Sequence, residues 1–128
     1  MRIGRDDNFL FLEKCDPHDV HSPWRVEVVA TASGQRFSAV HDRVMLDVSQ
    51  KTIQQFAKFE ALQTQSVEIS LSEGGWLRLE RDAKGYITVH YRLVAWKVRA
   101  VLKGEVVVDG EFAGGFCHEF GALLRTAR

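Results

Sequence analysis

The sequence lacks several features that would tie it to a specialised class of protein. Its 128 residues include only two cysteines and two prolines, and 17 basic residues balance 17 acidic ones. A net charge of zero excludes a generally cationic nucleic-acid binder, in which an excess of Lys and Arg supplies the affinity for phosphate. A hydrophobic content of 45% excludes a disordered chain. The sequence therefore predicts one domain over residues 1–128 that buries its own core.

Long apolar runs are also missing, and this bears on where the chain resides. Segments such as Phe9–Leu12 are far shorter than the roughly 20 residues that a membrane span needs. Residues 1–8 hold no apolar stretch of the kind found in secretory signals. Cys15 and Cys117 are too few for a disulfide framework, so we expect free thiols in a reducing compartment. These features predict a cytoplasmic protein without membrane segments.

Apolar and polar residues alternate along most of the chain, which is the period of half-buried strands. The alternation predicts strands at Phe9–Lys14, Trp24–Ala30, Arg36–Leu46, Val67–Leu71, Trp76–Arg81 and Ile87–Val94, and a last strand that begins near Val98 and is broken by a bulge at Gly104. Short turns at Gly74–Gly75 and Asp82–Gly85 indicate antiparallel hairpins. Six or seven strands follow from this pattern.

Two helices complete the prediction. The first begins at an N-cap Asp47, which Gln50 completes as a capping box, and runs to about Gln63. The second runs from about Glu111 to Arg125 with Asp109 as its cap. An apolar arc on it is formed by Phe112, Phe116, Phe120, Leu123 and Leu124. The predicted fold is α+β: a single twisted, mainly antiparallel sheet of six or seven strands with both helices packed on one face. A rolled sheet or half-barrel that grips the second helix is a close variant.

Candidate catalytic or metal-binding motifs are sparse. Cys15, His18 and His21 lie in a loop with two aspartates, and these side chains include donors that zinc accepts. Their spacing matches no closed zinc pattern, so a solvated loop is favoured, and a small-ligand or metal-dependent activity stays as the alternative. His118 and Glu119 begin like a zinc-protease signature, but Ala122 stands where the second histidine is required. We therefore assign no catalytic residue, metal or cofactor, and favour a non-enzymatic role.

The predicted hairpins of the second half bring polar side chains to one outward face. If neighbouring strands pair in register, this face holds Glu68, Trp76, Arg78, Glu80, His90 and Arg92. Trp and Arg are frequent anchors of protein interfaces. An ordinary solvated face with cross-strand charge pairs is the competing interpretation. The sequence predicts a protein-binding surface here, whereas enzyme chemistry is disfavoured because a flat sheet does not exclude water.

Residues 36–125 also show a wider pattern of core and turn positions. Spaced aromatics in a helix are followed by a strand meander around an Asp–Gly hairpin and by an aromatic-rich final helix. The residues concerned are Phe56, Phe59, Glu60, Trp76, Leu77, Leu79, Asp82, Gly85, Ile87, Val89, Ala100, Leu102, Phe116 and Phe120. In this pattern the chain resembles a family of small uncharacterised bacterial proteins similar to immunity proteins, which neutralise a cognate toxin. The resemblance implies a compact α+β domain and a protein partner, and it transfers no catalytic residue.

Three hypotheses follow from the sequence. The first is a protein-binding domain that uses the outward sheet face and contacts neither nucleic acid nor membrane; its more specific form, implied by the resemblance, is an immunity or antitoxin-like protein. The second is the activity of the Cys15, His18 and His21 loop. The third is a homodimer formed through an exposed strand edge.

Overall fold

The computed structural model describes residues 1–126, and there the chain forms eight β-strands and two α-helices. The strands form two antiparallel sheets, each built from four consecutive strands. The first sheet contains β1 (Arg2–Arg5), β2 (Asn8–Lys14), β3 (Trp24–Ala32) and β4 (Gln35–Val44). The second contains β5 (Ser66–Ser70), β6 (Trp76–Arg81), β7 (Ile87–Ala95) and β8 (Ala100–Val108). The helices are α1 (Gln50–Glu60) and α2 (Ala113–Thr126).

The predicted α+β class is confirmed, but the prediction of a single sheet of six or seven strands is wrong. Helix α1 lies between β4 and β5 in the chain, and these two strands do not pair. An isolated bridge between Leu46 and Leu71 joins the segments beside them. Alternating hydrophobicity identifies a strand but not the strand that pairs with it. The sequence pattern therefore could not predict the division into two sheets.

The core is formed by the inward side chains of both sheets together with the apolar faces of the helices. Leu77 and Leu79 of β6 are fully buried, as are Phe56 of α1 and Phe120 of α2. The rings of Phe56 and Phe120 lie 5.2 Å apart, centroid to centroid, so the helices pack on each other as well as on the strands. Neither helix within residues 1–126 has the length and apolar content needed to cross a lipid bilayer.

The start of α1 corrects the predicted N-cap. Ser49, not Asp47, caps the helix, because its hydroxyl accepts a hydrogen bond from the backbone N–H of Thr52 at 3.4 Å. Asp47 instead accepts hydrogen bonds from the Thr52 hydroxyl at 2.7 Å and from the Ser49 N–H at 3.0 Å. Burial alone would raise the pKa of Asp47, but these hydrogen bonds outweigh it and lower the pKa. The helix then ends at Glu60, before the predicted Gln63.

The start of α2 also differs from the prediction. A 3₁₀ turn occupies Gly110–Phe112, and the α-helix proper begins at Ala113. Phe112 is 60% exposed and so does not belong to the buried arc. The side chain of Asp109 makes no capping hydrogen bond, because its carboxylate pairs with the guanidinium of Arg5 in β1. The Asp109 carboxylate therefore pairs with Arg5, which is distant in sequence, and does not cap the helix as the local pattern predicted.

Strand β8 is continuous, and the bulge predicted at Gly104 is absent. Its register against β7 runs unbroken from the Ile87–Val108 pair to the Ala95–Ala100 pair. Gly104 lies opposite Tyr91, and a Cβ atom on Gly104 would sit 2.2 Å from the Tyr91 hydroxyl oxygen. Glycine is needed here because the aromatic ring covers the strand, and burial of that ring raises the pKa of Tyr91.

Candidate functional site

The outward side of the second sheet carries the predicted surface residues in register. Glu68, Arg78, His90 and Glu105 form one row across all four strands, each directly opposite the next. Because opposed residues point to the same side of a sheet, this row and its neighbours form one surface. We call this surface the outer face; it comprises Glu68, Trp76, Arg78, Glu80, Thr88, His90, Arg92, Lys103 and Glu105. All six residues that the sequence placed together lie within it.

Arg78 is held by contacts on two sides. Its guanidinium carbon lies 4.5 Å from the ring centroid of Trp76, in a cation–π contact. Its Nη2 and Nε atoms donate to Oε1 of Glu68 at 2.9 and 3.3 Å. Exposed ion pairs contribute only about 0–1 kcal/mol to stability. The main consequence of this arrangement is therefore that a long side chain is fixed in one orientation on the surface.

His90 and Arg92 are fixed in a similar way. Each ring nitrogen of His90 lies 3.3 Å from a carboxylate oxygen, Nε2 from Glu80 and Nδ1 from Glu105. Both nitrogens can donate only when the imidazole is protonated. Arg92 donates from Nη1 to the carbonyl oxygen of Gly74 at 2.6 Å. The outer face therefore presents side chains with defined positions, and its charges are unevenly placed along the strands.

Sequence reasoning missed Lys103 and Glu105. The bulge predicted at Gly104 would have rotated these side chains relative to their neighbours, so they were not placed on the outer face. The unbroken alternation of β8 from Ala100 onward is the signal that identifies them. Lys103 lies opposite Arg92, and Arg92 lies opposite Trp76, so one end of the outer face combines an aromatic ring with two basic side chains.

The outer face is open to solvent. Its charged residues are substantially exposed: the side chains of Glu68 and Glu80 are 47% and 49% accessible to solvent. Electrostatic catalysis depends on a site that excludes water and so strengthens each interaction. An open sheet with solvated carboxylates does not provide that environment.

The loop that holds Cys15, His18 and His21 has a local structural explanation. Oδ1 of Asp16 accepts the backbone N–H of His18 at 3.0 Å, and Oδ1 of Asp19 accepts that of His21 at 2.9 Å. Aspartate commonly stabilises tight turns in this way. Across residues 1–126, no three His, Cys, Asp or Glu side chains are grouped so that they could hold a metal ion. The structure thus offers the metal alternative no preformed ligand set.

Cys117 lies in the core, and Cys15 is exposed; both are free thiols. Burial raises the pKa of Cys117, partly offset by the charge of Arg81, whose Nη2 lies 3.6 Å from the sulfur. A raised pKa disfavours the thiolate, which is the nucleophilic form. The structure therefore fits the interpretation of Cys117 as a packed residue, and His118 and Glu119 beside it point to solvent.

Comparison with known proteins identifies no relative: no family model, no curated protein and no solved structure matches this chain. The resemblance to immunity-type proteins therefore stays a prediction drawn from core and turn positions.

Proposed function

We propose that this chain is a non-catalytic protein-binding domain that recognises its partner through the outer face. The observation that carries the proposal is the row of opposed side chains on β5–β8, in which Arg78 stacks on the neighbouring Trp76 ring. Large aromatic and Arg side chains dominate the binding energy of many protein interfaces. A partner that covers this pair would remove both side chains from water at once.

The fixed geometry of the outer face supports this proposal energetically. Ordering a long side chain on binding costs about 0.5–1.5 kcal/mol. Arg78 is already restrained by Glu68 and by the Trp76 ring, and Arg92 is restrained by the Gly74 carbonyl. Much of the entropy that these side chains would lose on binding is therefore already lost in the free protein. Arg92 and Lys103 at one end of the outer face favour a partner that presents carboxylates there.

Within this function, we propose an immunity or antitoxin-like role in the cytoplasm. The resemblance of residues 36–125 to immunity-type proteins supports it, as does the presence of an exposed free thiol at Cys15, which is typical of reducing compartments. Such a protein acts by occupying its toxin, which requires a rigid recognition surface and no catalytic group of its own. We expect the partner to be encoded next to this chain.

The test begins with capture of the partner from a native lysate and continues with both proteins purified. Titration calorimetry then compares the parent chain with Arg78→Glu and Trp76→Ala. Each change removes an anchor of the outer face, and we expect the Kd to rise about 30-fold or more, which corresponds to about 2 kcal/mol. Arg25→Glu serves as the control, because Arg25 is similarly exposed and likewise pairs with a glutamate, but lies on the first sheet.

Circular dichroism and thermal melting show whether each variant keeps the fold. Folded Arg78→Glu and Trp76→Ala proteins that bind as tightly as the parent would rule out the outer face as the interface. A captured partner on which the chain shows turnover would rule out a purely binding role.

A further inference from the structure

A second surface lies where β4 of the first sheet faces the β7–β8 hairpin of the second sheet. A cleft of about 480 Å³ opens between β4 and the β7–β8 hairpin, and in the described part of the chain no residue of α1 or α2 lines it. One wall is the segment Ala39–Asp42 of β4, and the other includes Leu93, Ala95 and Leu102. The wall residues are mostly apolar, so the cleft exposes a continuation of the core surface to water.

Strand β4 beside this cleft is a free edge. Within residues 1–126 it is the last strand of its sheet and pairs only with β3. It is ten residues long, and the side chains of Phe37 and Val40 are 63% and 51% exposed. A long edge strand with exposed apolar residues is a ready template for pairing with another strand. Proteins usually cover such an edge.

We infer that the edge is covered by a second copy of this chain, whose β4 pairs antiparallel with β4 about a two-fold axis with Ala39 opposite Ala39. A perpendicular two-fold axis keeps the same faces aligned, so the two first sheets join into one continuous sheet. This is an isologous interface, in which each contact occurs twice. The strand pairing itself uses only the first sheet.

Charge selects this register. Arg36 and Asp42 lie three residues either side of Ala39, so Arg36 of each copy falls opposite Asp42 of the other. Both residues are exposed, and within the described part of the chain neither belongs to an ion pair. Registers centred on Arg36 or on Asp42 would instead oppose like charges, which is destabilising. The pairing of β4 with β3 is regular from Gln35 to His41, and its register shifts before the Trp24–Val44 pair, so Asp42 directly follows the regular segment.

The same register also places an aromatic side chain, Phe37 of the second copy, at the cleft. Phe37 of each copy falls opposite His41 of the other, and His41 is part of the cleft wall. The His41 ring is held in place, with Nε2 3.0 Å from the Val94 carbonyl oxygen and Nδ1 accepting the Arg43 N–H at 3.4 Å. The exposed ring of Phe37 would therefore enter the apolar cleft of the second copy. In the symmetric dimer, the Phe37 ring of each copy would therefore fill the cleft of the other.

The experiment is analytical ultracentrifugation of the full chain from low micromolar concentration upward, with a charge swap. We expect a monomer–dimer equilibrium in the parent chain. Arg36→Glu and Asp42→Lys should each raise the dimer Kd about tenfold or more, because each places like charges opposite one another. The double variant Arg36→Glu/Asp42→Lys should restore the parent Kd within about threefold. Lys84→Glu, an exposed change of the same charge in the turn between β6 and β7, should leave the equilibrium unchanged.

Phe37→Ser provides a second test that does not depend on charge, and it should abolish the dimer while the far-ultraviolet circular dichroism stays unchanged. A chain that stays monomeric at every concentration would overturn the proposal. A dimer Kd that neither single charge variant changes, or that the double variant does not return to the parent value, would also overturn it. So would a monomer that binds a different protein through β4.

Discussion

Gly104 offers the sharpest test of how the second sheet is packed. A Cβ atom at this position would sit 2.2 Å from the Tyr91 oxygen and 2.5 Å from the ring carbon that bears it. The Tyr91 side chain is 5% exposed and packs in the core, so the ring cannot swing away without disturbing its neighbours. We therefore expect Gly104→Ala to destabilise the protein, although alanine is normally the better residue within a strand.

The magnitude follows from two opposing effects. Forcing an extra methyl group into a packed core costs about 1–3 kcal/mol. Replacing glycine by alanine lowers the entropy of the unfolded chain and returns about 0.4–1 kcal/mol. The net loss in the free energy of unfolding should therefore be about 1–2 kcal/mol. Gly115→Ala is the matched control: apart from its chain neighbours and the nearby backbone of its own helix, no atom lies within 4 Å of the added Cβ, and the residue is in α2, so it should stabilise by about 0.5–1 kcal/mol.

Urea unfolding followed by tryptophan fluorescence measures both changes. A double-mutant cycle with Tyr91→Leu then isolates the contact, because removal of the ring leaves room for the methyl group. The double variant should be more stable than the sum of the single effects predicts, by about 1 kcal/mol or more. A Gly104→Ala protein as stable as the parent, or strictly additive effects, would refute the close approach of ring and strand.

Two further predictions concern titrating and reactive groups. Hydrogen bonds lower the pKa of Asp47, so they stabilise the fold above the unfolded-state pKa, and that contribution disappears as the pH falls through the folded-state value. Asp47→Asn should therefore cost about 1 kcal/mol at neutral pH. Urea unfolding should show the difference narrowing in acid, and a difference independent of pH contradicts this reasoning. In the native protein a thiol reagent should modify Cys15 rapidly and Cys117 only after unfolding, because burial shields Cys117 and raises its pKa. Rapid modification of both thiols would contradict the packing of α2.

Strands β5, β6 and β7 of the second sheet were predictable almost residue by residue, whereas β8 was predicted with a bulge that the structure lacks. Strong alternation, the glycines before Trp76 and the Asp82–Gly85 hairpin indicated the first three strands and their outward residues. In the structure Asp82 does accept the backbone N–H groups of Lys84 and Tyr86, as the turn pattern requires. Here local chemistry and the final fold agree, and the placement of the outer face residues follows from it.

The first sheet was less predictable because its signals come from distant contacts. Strand β1 contains a single buried residue, Ile3, so no alternation marks it. Strand β4 has mixed polarity because it is exposed on both sides over most of its length. Asp109 was predicted to cap α2, but its carboxylate pairs with Arg5, more than a hundred residues earlier in the chain. A local pattern cannot anticipate partners that only the folded chain brings together.

The order of the strands has a consequence for how the protein folds. In each sheet every strand is hydrogen-bonded to the strand next to it in the chain, so no strand has to wait for a remote partner. Closing short loops carries little entropic penalty, and chains rich in local contacts reach the native state quickly. Each sheet can therefore form by successive addition of hairpins. The packing of the two sheets around the helices would then be the slower, cooperative step.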